Sequence, residues 1–202
     1  LPARLLGDVR GARVIDLCAA PGGKTLQLAA AGARVTAVDS SEARLARLRE
    51  NLARTGLAAE VVTADAADWR PDAPAEAVLL DAPCSATGTI RRHPDLPHLR
   101  RARDVEALTA LQDRLLDAAW AMVAPGGRLV FATCSLLPAE GEERADAFLA
   151  RMGDARREPV TVAEASEPDF VTAAGDLRTR PDHWPTLGGL DGFFAARFRK
   201  AA

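Results

Sequence analysis

Two cysteines stand where chemistry is to be expected. Asp81-Ala82-Pro83-Cys84 and Thr133-Cys134-Ser135 each place a thiol just beyond a short apolar run that reads as a strand. A single cysteine at a strand end is more often inert than reactive. Here there are two, one of them preceded by a carboxyl three residues earlier, and the chain has only two lysines, Lys24 and Lys200. That combination points to covalent catalysis by an activated thiolate. The third cysteine, Cys18, reads as a small buried hydrophobe whose backbone matters more than its thiol.

A second group lies between the first strand and the first helix. Asp16-Leu17-Cys18-Ala19-Ala20-Pro21-Gly22-Gly23-Lys24-Thr25 is rich in small residues, which let backbone approach a ligand, and it ends at a helix N-terminus with unpaired N–H groups. A phosphate-binding P-loop requires glycine where Cys18 stands, and a dinucleotide loop requires G-x-G-x-x-G, which is absent. S-adenosylmethionine is the remaining candidate, with its carboxylate on the backbone amides. Asp39 follows at slightly less than the roughly 20 residues usual for a ribose-binding carboxylate. Asp65 is placed to accept an adenine amino group. Each acid is also an ordinary turn or cap residue when taken alone.

These residues need a framework that gathers them. Apolar runs at 14–17, 34–38, 60–63, 77–80, 128–132 and 193–198 read as strands. Helices are expected from Gly22-Gly23 to residue 30, after a cap at Ser40 or Ser41, at about 104–123 and at 140–152. Residues 81–98 read as a long loop and 153–190 as an irregular tail. Strands alternating with helices imply a parallel sheet with right-handed crossovers, whose ligands sit beyond the carboxyl ends of the strands. Cys18–Lys24, Asp39, Asp65, Asp81–Cys84 and Thr133–Ser135 all fall at those ends.

A thiolate beside a methyl sulfonium suits methylation at carbon 5 of a pyrimidine. That carbon is too weak a nucleophile until a thiolate adds to carbon 6. Asp81 is placed to bind the N3 and N4 edge of a cytosine, and a base within a helix must be flipped out to reach such a site. Either Cys84 or Cys134 could be the attacking thiol on this reading.

The stretches Asp16–Thr25, Val38-Asp39, Leu80–Gly88, Arg91–Asp95, Ala132–Ser135 and Asp191-Gly192-Phe193-Phe194 resemble the motifs of the RsmB/NOP (Sun) family of S-adenosylmethionine-dependent RNA cytosine-C5 methyltransferases. The loop Thr87–Asp95 and the Asp-Gly-Phe-Phe ending are most similar to bacterial members acting on 16S rRNA. The resemblance implies an α/β, Rossmann-like methyltransferase fold. Its sheet is mostly parallel, with helices on both faces and a C-terminal antiparallel strand, and it forms one catalytic domain over residues 1–202. It implies Cys134 as nucleophile, Cys84 as an aid to product release, and Asp81 and Lys24 at the reacting centre. Cys18, Ala19, Ala20, Pro21, Gly22, Gly23, Lys24, Asp39, Asp65 and Asp81 would hold S-adenosyl-L-methionine. It also implies an RNA partner, small-subunit rRNA, and a separate or missing N-terminal RNA-binding domain.

Arg91, Arg92, His93, Arg100, Arg101 and Arg103 form the one locally basic stretch and are candidates to grip RNA phosphates. The formal net charge of −2 argues against binding nucleic acid through the overall field. No metal site is expected, since the histidines lack ligand spacing. No apolar run approaches a membrane span, and three scattered cysteines form no disulfide framework, so a cytoplasmic location is expected. Two other readings remain: a cofactor-binding fragment inactive without an RNA-binding partner, and a DNA methyltransferase using Cys84.

Overall fold

The computed structural model describes residues 1–99 and 101–202. Five strands run parallel: β1 (Arg13–Leu17), β2 (Arg34–Asp39), β3 (Glu60–Thr63), β4 (Ala75–Asp81) and β5 (Val123–Thr133). Three more, β6 (Ala155–Arg157), β7 (Leu177–Thr179) and β8 (Phe193–Lys200), complete the sheet in the order β3-β2-β1-β4-β5-β8-β6, with β7 also on β8. β8 is antiparallel to β5, as the resemblance implies.

Side-chain alternation explains why both faces are covered. Ile15, Leu17, Val78, Leu80, Leu129, Phe131, Phe194 and Phe198 enter one apolar cluster, and Val14, Leu79, Val130 and Ala195 enter another. Residues i and i+2 share a face of a strand, so each strand feeds both cores. The first cluster takes Leu115, Leu116 and Ala119 of α4 (Ala102–Met122) and Phe148 of α5 (Glu142–Arg151). The second takes Leu28 of α1 (Gly23–Ala30) together with Leu5 and Leu6 of an N-terminal 3-10 turn (Pro2–Leu6). On α2 (Glu42–Thr55), Leu45, Leu48 and Leu52 close over Ala37 of β2. Ser41 caps α2, its hydroxyl accepting the Arg44 N–H.

The tail departs from the expectation of irregular chain. β6 and β7 lie within it, joined by the single turn α6 (Val162–Ala165), and both pair with β8. Three-residue strands are too short to show a period, so only the partner strand reveals them. Arg197 of β8 secures this region from beneath. Its buried guanidinium donates to the Leu5 and Pro159 carbonyls and to Glu164. The 81–98 loop contains a 3-10 turn (Thr87–Thr89) and the short helix α3 (Leu96–Leu99). β5 begins five residues earlier than its expected start at Arg128, because Val123 pairs with Ala75 before a register shift around the Pro125–Gly127 turn. Among the described residues no helix is long and apolar enough to cross a membrane.

Candidate active site

The strand order reverses between β1 and β4, so the carboxyl ends of these strands open a crevice rather than being closed by a crossover. A cavity of about 660 Å³ lies there. Its walls include Asp16, Cys18–Pro21, Gly23, Lys24 and Asp81, with Arg91, Arg92, Asp191 and Phe193 from the two loops opposite.

The loop after β1 is shaped by backbone geometry. Cys18 has φ +58° and Gly22 φ +104°, and the Ala20–Pro21 peptide is cis. A Cβ on Gly22 would sit 2.8 Å from the Leu48 side chain, whereas one on Gly23 would meet no protein atom within 4 Å. Gly22 is therefore required for the turn and for packing on α2. Gly23 leaves open room on the cavity side of the first turn of α1. Burial pushes the Cys18 thiol up to about 12, with Asp39 and Asp81 adding to the shift, and its side chain packs against the first apolar cluster.

Asp16 is a site residue that the sequence did not single out. It is fully buried, and its Oδ2 accepts the Thr25 hydroxyl at 2.6 Å, while Oδ1 has no partner among the described residues. Burial raises it to about 7, and the Thr25 hydrogen bond only partly offsets this. The available signal was a carboxyl inside the apolar run Val14-Ile15-Asp16-Leu17. A buried, half-satisfied carboxyl on a cavity wall suits a cationic group. S-adenosylmethionine carries two, an ammonium and a sulfonium, so the residues present fit it.

Lys24 Nζ reaches Asp81 Oδ2 at 2.6 Å, joining the first turn of α1 to the end of β4. The other two expected cofactor acids do not line the cavity. Asp39 is buried and already engaged: Oδ2 accepts the Ala20 N–H at 3.1 Å, and Oδ1 accepts Ser41 N–H and Arg44. It thereby props the loop from behind. Asp65 is exposed, and its Oδ1 accepts the Ala67 N–H.

Beyond Asp81 lie the two thiols. Cys84 Sγ and Cys134 Sγ are 3.4 Å apart, a hydrogen-bond contact between groups 50 residues distant in sequence. The hydrogen bond from Cys84 moves the Cys134 thiol below the ordinary cysteine range, with the Lys24 charge helping and burial and Asp81 opposing. The same bond and burial drive Cys84 far above that range. The two opposite shifts make Cys134 the more acidic thiol of the pair.

Backbone contacts hold the surrounding loops together. Gly88 N–H donates to the Cys134 carbonyl at 2.9 Å, and Gly192 N–H donates to the Gly88 carbonyl at 2.7 Å. A Cβ on Gly88 would lie 2.0 Å from the Gly192 carbonyl oxygen, so no side chain fits. Phe194 is buried beside Phe131, as expected of a strand residue.

The basic stretch is divided. Arg91 and Arg92 turn toward the cavity and pair with Asp191, Arg92 at 2.7 Å; Arg91 also donates to the Gly188 carbonyl. His93, Arg101 and Arg103 are exposed away from the cavity lining, Arg101 at the start of α4 and Arg103 beside Asp104. Arg100 lies outside the described residues.

Comparison with known proteins agrees with this geometry. Residues 3–199 match the profile of the family described as 16S rRNA methyltransferase RsmB/F. The ribosomal RNA small subunit methyltransferase B of Pseudomonas putida is 47% identical over 212 residues, covering 100% of this chain and 46% of its own length. That of Serratia proteamaculans is 51% identical over 201 residues, covering 97% and 44%. Among solved structures, NSun6 from Pyrococcus horikoshii with SFG superposes with a TM-score of 0.82 at 30% identity, covering 100% of this chain and 51% of that one. The chain thus spans somewhat under half the length of these curated relatives. With the profile running almost end to end and the cysteine pair in place, the chain belongs to the 16S rRNA methyltransferase RsmB/F family.

Proposed function

We propose that this chain is the catalytic domain of an RNA cytosine-C5 methyltransferase that uses S-adenosyl-L-methionine and acts on 16S rRNA. The Cys84–Cys134 contact is the observation that carries the reading, because it brings two thiols together, Cys134 the more acidic, next to a cavity suited to a cationic cofactor. Bound in that cavity, S-adenosylmethionine would supply an electrophilic methyl group.

On this reading the Cys134 thiolate adds to C6 of the flipped cytosine, and the C5=C6 electron pair becomes nucleophilic at C5. Asp81 bonds the N3–N4 edge of the ring, with Lys24 fixing its orientation. After methyl transfer, a base takes the C5 proton; the C–H electron pair restores the double bond and expels Cys134 as thiolate. Cys84 assists this release. Asp16 and the loop Cys18–Lys24 hold the cofactor, while Asp39 and Asp65 shape the loops beside it. Arg91 and Arg92 lie where RNA phosphates would approach, and His93, Arg100, Arg101 and Arg103 belong to the same outer stretch. Choice of the target nucleotide falls to RNA-binding segments beyond the matched half of the relatives, or to a separate partner. A cytoplasmic location is compatible with an rRNA substrate.

Bisulfite sequencing of small-subunit rRNA from cells with and without the gene tests reaction, substrate and position together. Loss of one methylated cytosine is the expected result; an unchanged pattern would overturn the proposal. With the purified protein, Cys134→Ala should abolish transfer and leave cofactor binding nearly intact. Cys84→Ala should slow release and trap a covalent protein–RNA adduct. Loss of activity on duplex DNA with Cys84→Ala alone would instead support the DNA enzyme.

A further inference from the structure

Beneath the two thiols lies a buried polar cluster that none of the expected roles uses. Glu140 sits in the 3-10 turn Pro138–Glu140 before α5 and is fully buried, as are Ser85, Gln112 and Ser135. Its carboxylate receives two donors on each oxygen. Oε1 accepts the Ser85 backbone N–H at 2.9 Å and the Gln112 side-chain amide at 3.1 Å. Oε2 accepts the Ser85 hydroxyl at 2.5 Å and the Ser135 hydroxyl at 2.6 Å.

Ser85 follows Cys84, and Ser135 follows Cys134. Gln112, projecting from α4, also donates to the carbonyl of Pro83, the residue before Cys84. The Glu140 backbone carbonyl accepts the hydroxyl of Thr133, the residue before Cys134. One residue therefore holds the chain on both sides of Cys134 and, with Gln112, on both sides of Cys84.

We propose that Glu140 is the positioning residue of the cysteine pair, its carboxylate joining the two cysteine-bearing turns and so setting the separation of the two sulfurs. The two loops arrive from different strands, and their cysteines are not joined in a disulfide. A buried carboxylate satisfied by four donors is rigid in a way that apolar packing is not. A neutral amide cannot replace it, because in either orientation its nitrogen, itself a donor, would face two of the four donors with no lone pair to accept them. The catalytic consequence rests on the proposed methyl-transfer reading; the geometric one does not.

The test separates these two consequences. The thiols are read without RNA by two measurements: formation of the 84–134 disulfide with oxidised glutathione, and the pH midpoint of Cys134 alkylation by iodoacetamide. Cys134 attacks the oxidant, releasing one glutathione thiolate, and Cys84 then displaces the second to close the bond. Asp81, Lys24 and Glu140 are the charged groups that act on the pair, and Asp81 and Lys24 are left intact.

Glu140→Gln should slow disulfide closure by about threefold or more and raise the alkylation midpoint. Methyl transfer should fall by roughly tenfold or more, since small misplacements of reacting groups are costly, with cofactor affinity unchanged within about twofold. The double variant Ser85→Ala, Ser135→Ala removes the Oε2 donors while leaving Glu140 in place, and decides the matter if Glu140→Gln does not fold. A folded variant of either kind with wild-type closure rate and midpoint overturns the proposal, even if its melting temperature drops. If the wild-type protein methylates no RNA but the thiol measurements shift, Glu140 keeps its positioning role and the functional reading fails.

Discussion

Lys24 and Asp81 meet at 2.6 Å across the point where the sheet reverses its strand order, one on the first turn of α1 and the other at the end of β4. The contact spans the only place in the parallel core where two neighbouring strands send their connections to opposite sides. Each side chain is a quarter to a third exposed, so the pair adds little to folding. Its importance is orientational, because it fixes a carboxylate oxygen beside the cysteine pair and the cofactor cavity together.

Lys24→Met and Asp81→Asn should each change stability by less than about 1 kcal/mol. Methyl transfer should fall by about a hundredfold, as expected when a group aimed at the reacting centre is released. Thermal melts alongside single-turnover kinetics check this. A large loss of stability with modest loss of rate would assign the pair to the fold instead.

The three cysteines should differ sharply in reactivity. Cys134 should alkylate first near neutral pH, because its thiolate is stabilised by the Cys84 thiol. Cys18, pushed up to about 12 by burial, and Cys84, pushed higher, should remain unmodified. In Cys84→Ala the donor is gone, so the alkylation midpoint of Cys134 should move up toward the ordinary thiol value. Peptide mass mapping after iodoacetamide over a pH series reads both effects.

Asp16 should make both stability and ligand affinity depend on pH, in opposite directions. Its folded-state value of about 7 lies above the unfolded value of 3.8. The folded protein therefore binds the extra proton, and the stability this contributes is complete below about 4 and is lost as pH rises through about 7. Asp16→Asn should abolish that slope and be more stable than the wild type at pH 8, by roughly 2–4 kcal/mol. Affinity for a cationic ligand behaves oppositely, since the ionised carboxyl is the binding form. S-adenosylmethionine should bind the wild type more weakly as pH falls below about 7, with proton release on binding. Denaturation and calorimetry across this range check the two signs, and a pH-independent difference between the two proteins would refute both.

Much of the framework was legible because strands buried on both faces leave near-continuous apolar runs in the sequence. Val14–Leu17, Ala77–Leu80 and Arg128–Ala132 read as near-continuous apolar runs, and their ends mark the crevice directly. The cysteine-bearing turns were visible for the same reason, since polar groups at such ends need a purpose. Other parts depend on contacts that the local sequence does not carry. β6 and β7 exist because β8 offers them a partner. Glu140 looks like an ordinary surface residue at the start of a helix, and only the approach of Ser85, from a turn 55 residues earlier, makes it a buried anchor. The arginines were legible as a basic stretch, but not their division between the cavity rim and the outer surface, because that depends on Asp191, about 100 residues further along.

The bare-backbone meeting of Gly88 and Gly192 has a consequence for what can be exchanged in this loop. The loop after β4 and the entry to β8 interlock with no side chain to trim or enlarge at the point of contact. A chimera that grafts another Thr87–Asp95 loop must keep glycine at position 88 and the backbone path of Gly192 that it meets. Two stretches about 100 residues apart thus act as a single mechanical part.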